Sequence, residues 1–251
     1  MKRAQQDEPL VDFGYRQVSE GDKTALVRGV FERVAGRYDL MNDLMSLGVH
    51  RLWKEAMAAS LSLDPGMRVL DVAGGTGDIA LRMLGRGAQR VTVSDINPAM
   101  LAVGQERAER ANLGDRLDWL CADAESLPLP DRSVDVWTCA FGLRNVTRLS
   151  AALAEARRVL RPGGRFLCLE FSRVEAPGVD WLYDAWSFGM LPRLGRWVAD
   201  DEDAYRYLAE SIRRFPPQER FAAMIEEAGL ERVTWRNLSA GIAALHSGWR
   251  L

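Results

Sequence analysis

The residues best suited to chemistry lie in one short stretch and in the carboxylates that follow it. Val69-Leu70-Asp71-Val72-Ala73 is a mainly apolar run that breaks into Gly74-Gly75-Thr76-Gly77-Asp78. Ile79, Ala80, Leu81, Met83 and Leu84 then read as the buried side of a helix. Strand, glycine turn and helix together open a nucleotide-binding α/β unit. The glycines allow a sharp turn and the close approach of a ligand. Gly75-Thr76-Gly77-Asp78-Ile79-Ala80 also fits the dinucleotide fingerprint, but two charges oppose that reading. A pyrophosphate favours a bare, positive helix N-terminus, and Asp78 is expected to occupy that end, with Asp71 adding a second negative charge. Both charges suit a ligand that carries an ammonium and a sulfonium, and S-adenosylmethionine is such a ligand. As mere turn caps, Asp71 and Asp78 would carry no such meaning. The next carboxylates fall where a nucleoside needs them.

Asp95 ends the expected strand over residues 90–95. It lies about 20 residues past the loop, where an acidic side chain grips ribose hydroxyls. Asn97, just before Pro98, is the better cap for the next helix, which leaves Asp95 to the ligand. Asp123, with Ala124, follows a third strand over 117–122 and can accept from an adenine amino group. The loop Phe141-Gly142-Leu143-Arg144-Asn145 follows a fourth strand, beside the reactive end of the cofactor. Arg144 and Asn145 supply donors there, with no carboxylate nearby in the chain to neutralise them. Cys121, Cys139 and Cys168 lack metal-ligand spacing and read as core thiols. No metal is expected.

These residues need a sheet to hold them. Apolar runs at 69–72, 90–95, 117–122, 134–140 and 165–171 alternate with helical patterns, which gives a doubly wound sheet. Ligands bind such sheets at the carboxyl ends of the strands. Arg161-Pro162-Gly163-Gly164 reads as a turn before the fifth strand. Two further runs, 232–238 and 242–249, are joined by a few residues and should form an antiparallel hairpin. Residues 1–24 read as a polar tail, 25–64 as a helical cap, and 65–251 as the core with a lid or insertion at about 173–215. The insertion holds an aromatic and Arg-bearing stretch, Trp181 to Trp197, suited to a pocket wall or a membrane surface.

The chain has 251 residues, enough for one large α/β domain, and 47% of them are hydrophobic. Its net charge of -2 gives no electrostatic case for a nucleic-acid partner. No signal peptide and no membrane-spanning run stands out. A cytoplasmic location is expected.

The sequence resembles the ubiquinone/menaquinone biosynthesis C-methyltransferases. The resemblance rests on segments 38–46, 48–54, 70–78, 141–146, 169–172, 205–212 and 244–246, and covers nearly everything after about residue 25. The glycine loop is common to many methyltransferases; the block at 38–54, Arg144-Asn145 and the Tyr205 block are more specific. The resemblance implies a class I, Rossmann-like fold with a seven-stranded, mostly parallel sheet. It implies methyl transfer from S-adenosylmethionine to a ring carbon of a polyprenylated quinol. Thr76, Asp95, Asp123 and Ala124 become cofactor contacts by position. The family pattern carries Asn at Asp123, so a donor is lost here, and Ser at Ala140, so a hydroxyl contact is lost.

A ring carbon becomes nucleophilic when its neighbouring phenol turns phenolate-like, so the site must favour that charge and align the reacting atoms. Arg144 and Asn145 are expected to stabilise the phenolate oxygen. Tyr38, His50 or a water they hold is expected to take the proton. A substrate that lives in the bilayer implies peripheral contact with the inner face of the membrane. A homo-oligomer or a quinone-biosynthesis assembly is a further expectation. The competing readings are a methyltransferase of a small phenol or another lipid, an NAD-dependent oxidoreductase, and a non-catalytic module that keeps the fold.

Overall fold

The computed structural model describes residues 9–34, 42–43, 46–174 and 202–251. It opens on a hairpin: β1 (Leu10–Phe13) pairs antiparallel with β2 (Arg16–Ser19). Gly14 turns the chain between them at φ +60°. The hairpin feeds α1 (Glu20–Val34) directly. The polar tail expected through residue 24 is therefore structured from Leu10, and Phe13 is buried.

After α2 (His50–Ala59), strands and helices alternate as the apolar runs predict. They are β3 (Val69–Val72), α3 (Asp78–Gly85), β4 (Val91–Asp95), α4 (Pro98–Arg110), β5 (Leu117–Cys121), β6 (Val134–Ala140), α5 (Leu149–Val159) and β7 (Leu160–Phe171). Then come α6 (Glu202–Arg214), α7 (Gln218–Glu227), β8 (Glu231–Leu238) and β9 (Ala243–Arg250). Seven strands lie in the order β5-β4-β3-β6-β7-β9-β8. The pairs among β3 to β7 are parallel, and β9 runs against both β7 and β8. The late hairpin thus inserts β9 beside β7 and leaves β8 at the edge.

A parallel sheet is covered on both faces, which is why its strands read as continuous apolar runs. Successive residues of β7 show this. Phe166 and Cys168 pack with α5 and α7 residues such as Leu153, Phe221 and Ile225. Leu167, Leu169 and Phe171 pack on the other face with Trp53, Met57, Ile79 and Met83. Cys139 and Cys168 are core thiols as expected, but Cys121 is exposed.

One turn signal falls inside a strand. Arg161-Pro162-Gly163-Gly164 lies inside β7, where the register to β6 shifts between Val134↔Leu160 and Val136↔Arg165. The chain makes a turn there, three residues longer than the partner strand, with Gly163 at φ +80°.

Gly104 on α4 has a packing reason to be glycine. A Cβ there would sit 2.5 Å from the Trp119 ring and 3.1 Å from the Thr76 carbonyl carbon. Alanine is worth about 1 kcal/mol more than glycine inside a helix, but overpacking costs about 1–3 kcal/mol. We therefore expect Gly104→Ala to lower the melting temperature despite the better helix former. Gly85→Ala, with nothing within 4 Å of its added Cβ, is the control. Equal melting of the two variants in a thermal scan would mean that Trp119 moves aside freely.

Candidate active site

Strand order reverses between β3 and β6, and the crevice at their carboxyl ends is the site such a sheet offers. A cleft of about 750 Å³ opens there. Its walls include Gly75, Asp95, Asp123, Ala124, Phe141 and Asn145, drawn from the ends of four strands. Thr24, Val27, Arg28 and Phe31 of α1 close another wall.

The glycine loop and Asp95 are built as one unit. Gly75 at φ +54° and Gly77 at φ +76° use backbone conformations that favour glycine. The Gly75 N–H donates to Asp95 Oδ2 at 2.9 Å, and the Asn97 N–H donates to Oδ1 at 2.8 Å. Asn97 caps α4 by accepting from Ala99 and Met100, as the sequence suggests. Each Asp95 oxygen keeps acceptor capacity for a ligand. Burial pushes the Asp95 carboxyl up to about 6, against the pull of its backbone donors. Asp123 also faces the cleft, its Oδ1 accepting from the Glu125 N–H at 2.9 Å. Glu125 takes the N–H groups of Thr147 and Arg148 at 2.7 Å each, tying the cleft wall to the start of α5.

Other expected residues fall elsewhere. Gly74 and Thr76 are not among the residues that line the cleft. Gly74 packs against Asp71 and Val93, and Thr76 is buried with Arg107 donating to its Oγ1 at 3.5 Å. Ala140 is likewise absent from the lining. The two charges invoked against a pyrophosphate stand where the sequence puts them, Asp78 in the first turn of α3 and Asp71 in β3, but neither lines the cleft. Gly77, not Asp78, caps α3. Lys54 of α2, itself buried, donates to Asp78 Oδ2 at 2.9 Å, and Arg82 lies 3.2 Å from Oδ1. Burial opposes ionisation of Asp78, but Lys54 outweighs it and holds the carboxyl low. Asp71 is wholly buried and accepts from Thr138 Oγ1 at 2.8 Å; burial raises it to about 7. Neither carboxylate presents an unpaired charge on the cleft wall.

Arg144 brings a second correction. Its side chain is wholly buried and pairs with Glu170 Oε1 at 2.7 Å. It also donates to the Phe141 carbonyl at 2.5 Å and stacks over Phe171. A carboxylate does neutralise it, delivered from the end of β7. Asn145 keeps its place on the cleft wall, and its Oδ1 accepts from Tyr207 Oη at 3.1 Å. Trp53, Phe141 and Phe171 cluster at the ends of β6 and β7, and Trp53 Nε1 is anchored on Ser239 at 2.9 Å.

His50 is buried and pairs through Nε2 with Asp43 Oδ1 at 2.9 Å. Burial first, then Lys54, keeps its pKa low; Asp43 is drawn down to about 2, chiefly by Arg51. With Nε2–H given to Asp43, Nδ1 is a buried acceptor with no partner among the described residues. His246 is structural: it contacts the Gln218 carbonyl, and burial takes it down to about 4. Tyr38 and the stretch from Trp181 to Trp197 lie outside the described residues. Sequence reasoning assigned no role to Glu170, Lys54 or Tyr207, though each stands in a segment it singled out.

The sheet order and the single reversed strand are those of a class I S-adenosylmethionine-dependent methyltransferase. Solved structures share the fold. A SAM-dependent methyltransferase from Thermotoga maritima superposes with a TM-score of 0.63 at 20% identity, covering 90% of this chain and 100% of that one. The [4+2]-cyclase SpnF does so at 0.62 and 22%, covering 80% of each chain. Closer relatives are curated proteins. The ubiquinone/menaquinone biosynthesis C-methyltransferase UbiE of Paracoccus denitrificans is 60% identical over 98% of this chain and 99% of its own length. That of Brucella canis is 58% identical over 95% and 90%. Residues 17–250 match the ubiE/COQ5 methyltransferase family, and the chain belongs to it. The dinucleotide oxidoreductase reading falls with that membership.

Proposed function

We infer that the protein transfers a methyl group from S-adenosylmethionine to a ring carbon of a polyprenylated quinol, in menaquinone or ubiquinone biosynthesis or both. The observation that carries this reading is 60% identity to a C-methyltransferase of that name across nearly the full length of both chains.

The cleft residues fit the cofactor. Asp95 is the acceptor for the ribose hydroxyls and Asp123 for the adenine amine. Phe31, Met100 and Phe141 give apolar walls, and the Gly75 loop permits close backbone approach. When bound, the cofactor supplies an electrophilic methyl on a sulfonium. The chain's own residues prepare the ring. Asn145, on the cleft wall, is placed to stabilise a ring oxygen as it gains phenolate character. Arg144, paired with Glu170, holds the loop that carries Asn145. His50 is buried and does not line the cleft, which leaves Tyr38 as the proposed group to take the ring proton, directly or through water. The Trp53–Phe141–Phe171 cluster keeps water from the ends of β6 and β7.

The decisive assay uses methyl-labelled S-adenosylmethionine with reduced demethylmenaquinone and with a methoxy-polyprenyl-benzoquinol. Label on a ring carbon of either lipid supports the reading and identifies the head group. Cofactor binding without transfer to either moves the acceptor to a small phenol or another lipid. Among the described residues no helix is long and apolar enough to cross a membrane. Access to the quinol is proposed through peripheral contact by the 181–197 stretch. Flotation with liposomes checks that contact, and absence of binding with and without quinone counts against it.

Asp95 links cofactor affinity to pH. Ribose hydroxyls prefer the ionised carboxylate, so affinity should fall as pH drops through about 6, by roughly tenfold per unit well below it. Ligand-free stability should move the other way. A carboxyl raised in the folded state contributes stability fully below its unfolded value of 3.8 and loses it as pH rises through about 6. Calorimetric titrations with S-adenosylhomocysteine and melting scans across this range test both signs. Affinity that is flat with pH removes Asp95 from the ribose.

A further inference from the structure

Asn145 is a carboxamide, and either end of it can face a ligand. What fixes the choice is on α6. Tyr207 is buried, and its Oη lies 3.1 Å from Asn145 Oδ1. Burial holds the phenol well above its ordinary range, so the hydroxyl keeps its proton. That proton goes to the amide oxygen. The amide NH2 is then the end left to the cleft that Asn145 lines.

Tyr207 is itself fixed from the far end of the chain. Phe13 of β1 stacks on its ring, centroids 4.2 Å apart and planes 17° apart. One turn further along α6, Glu210 accepts the Tyr15 N–H at 2.9 Å. Beyond that, Arg214 stacks over the Tyr15 ring. Lys23 and Thr24 of α1 reach the loop from the other side: Lys23 Nζ donates to the Val146 carbonyl at 2.9 Å, and Thr24 meets Thr147 at 3.2 Å. The N-terminal hairpin and α1 thus grip both α6 and the loop that carries Asn145.

We propose that Tyr207 is a positioning residue for methyl transfer: clamped by Phe13, it locks the Asn145 carboxamide so that its NH2 is presented as a donor to the ring oxygen of the acceptor. A locked donor needs no reorganisation as charge develops on that oxygen. An amide free to flip presents its oxygen part of the time and repels the same charge.

The test is a double-mutant cycle. Tyr207→Phe keeps the ring and its stacking and removes only the hydroxyl. It should lower kcat about tenfold while leaving cofactor Kd within about twofold; Asn145→Ala should lower kcat by about 10²-fold. In the Asn145→Ala background, Tyr207→Phe should have no further effect on kcat, because its only route of action is gone. Asn145→Asp still accepts from Tyr207 but offers no donor, so it should lose as much as Asn145→Ala. An equal loss from Tyr207→Phe in both backgrounds overturns the proposal, as does a near wild-type rate in Asn145→Asp.

The inference rests on the quinol reading above, and wild-type turnover separates the two. If the wild type binds cofactor but methylates neither quinol, that reading fails alone. The donor role is then read from para-nitrophenol added to the S-adenosylhomocysteine complex. Its bound form should ionise at lower pH in the wild type than in Tyr207→Phe or Asn145→Ala, and equal ionisation in all three overturns the proposal.

Discussion

Glu170→Ala is expected to be among the most damaging single substitutions away from the cofactor. Glu170 and Arg144 are both buried, 2.7 Å apart, and Glu170 also accepts the N–H groups of Phe171 at 2.9 Å and Arg144 at 3.3 Å. Removing the carboxylate strands a guanidinium that cannot neutralise itself by losing a proton. Breaking a buried pair from one side costs about 3–5 kcal/mol, or about 6–20 °C in melting temperature for a chain of this size. Replacing both charges by apolar side chains is often close to neutral, so Arg144→Met/Glu170→Leu should recover much of the loss. The double variant then separates two roles of Arg144. Recovered melting with activity still lost assigns the charge a part in catalysis; recovery of both makes it a prop for the Asn145 loop. A Glu170→Ala protein that melts within 2 °C of wild type would show that the pair contributes little.

Asp95→Ala should remove cofactor binding rather than fold. The carboxylate holds the Gly75 and Asn97 N–H groups on one side and faces the cleft on the other. Two hydrogen bonds from ribose hydroxyls to an ionised acceptor are each worth about 1.5–3 kcal/mol, so affinity for S-adenosylhomocysteine should fall by at least about 10²-fold. Asp95→Asn should not rescue it. The two oxygens each meet a backbone N–H, and an amide would turn its NH2 group onto one of those donors. Melting of the ligand-free protein should change little, because the lost bonds are offset by relief of a buried charge. Calorimetric binding within fivefold of wild type would move the ribose away from Asp95.

The parts of this site that could be read from sequence are those set by neighbours in the chain. Strand β3, the glycines and the Asn97 cap follow from local patterns, and Asp95 follows from its place at a strand end. The partners of the charged residues do not, because they arrive from distant segments. Lys54 reaches Asp78 across α2 and α3, and so the repulsion argued for Asp78 is largely cancelled. Glu170 reaches Arg144 because β6 and β7 pair in parallel and end side by side. Phe13-Gly14-Tyr15 carries a turn residue between short alternating segments, but nothing local announces that Phe13 packs on Tyr207. The Gly163-Gly164 turn is legible locally, but not that β7 begins before it, with Leu160 paired to Val134.

The hairpin's contacts have a consequence for the order in which the protein comes into being. Strands β3 to β6, which supply the cofactor cleft, lie within residues 69–140 and pair with one another. The grip on Tyr207 joins residues near the start of the chain to α6, as in the Tyr15–Glu210 bond across 195 positions. Synthesis is vectorial, at about 5–20 residues per second. The hairpin therefore waits about 10–40 s for its partner helix to be made. A nascent chain thus completes the strands whose ends line the cleft before it completes the contacts that fix Tyr207.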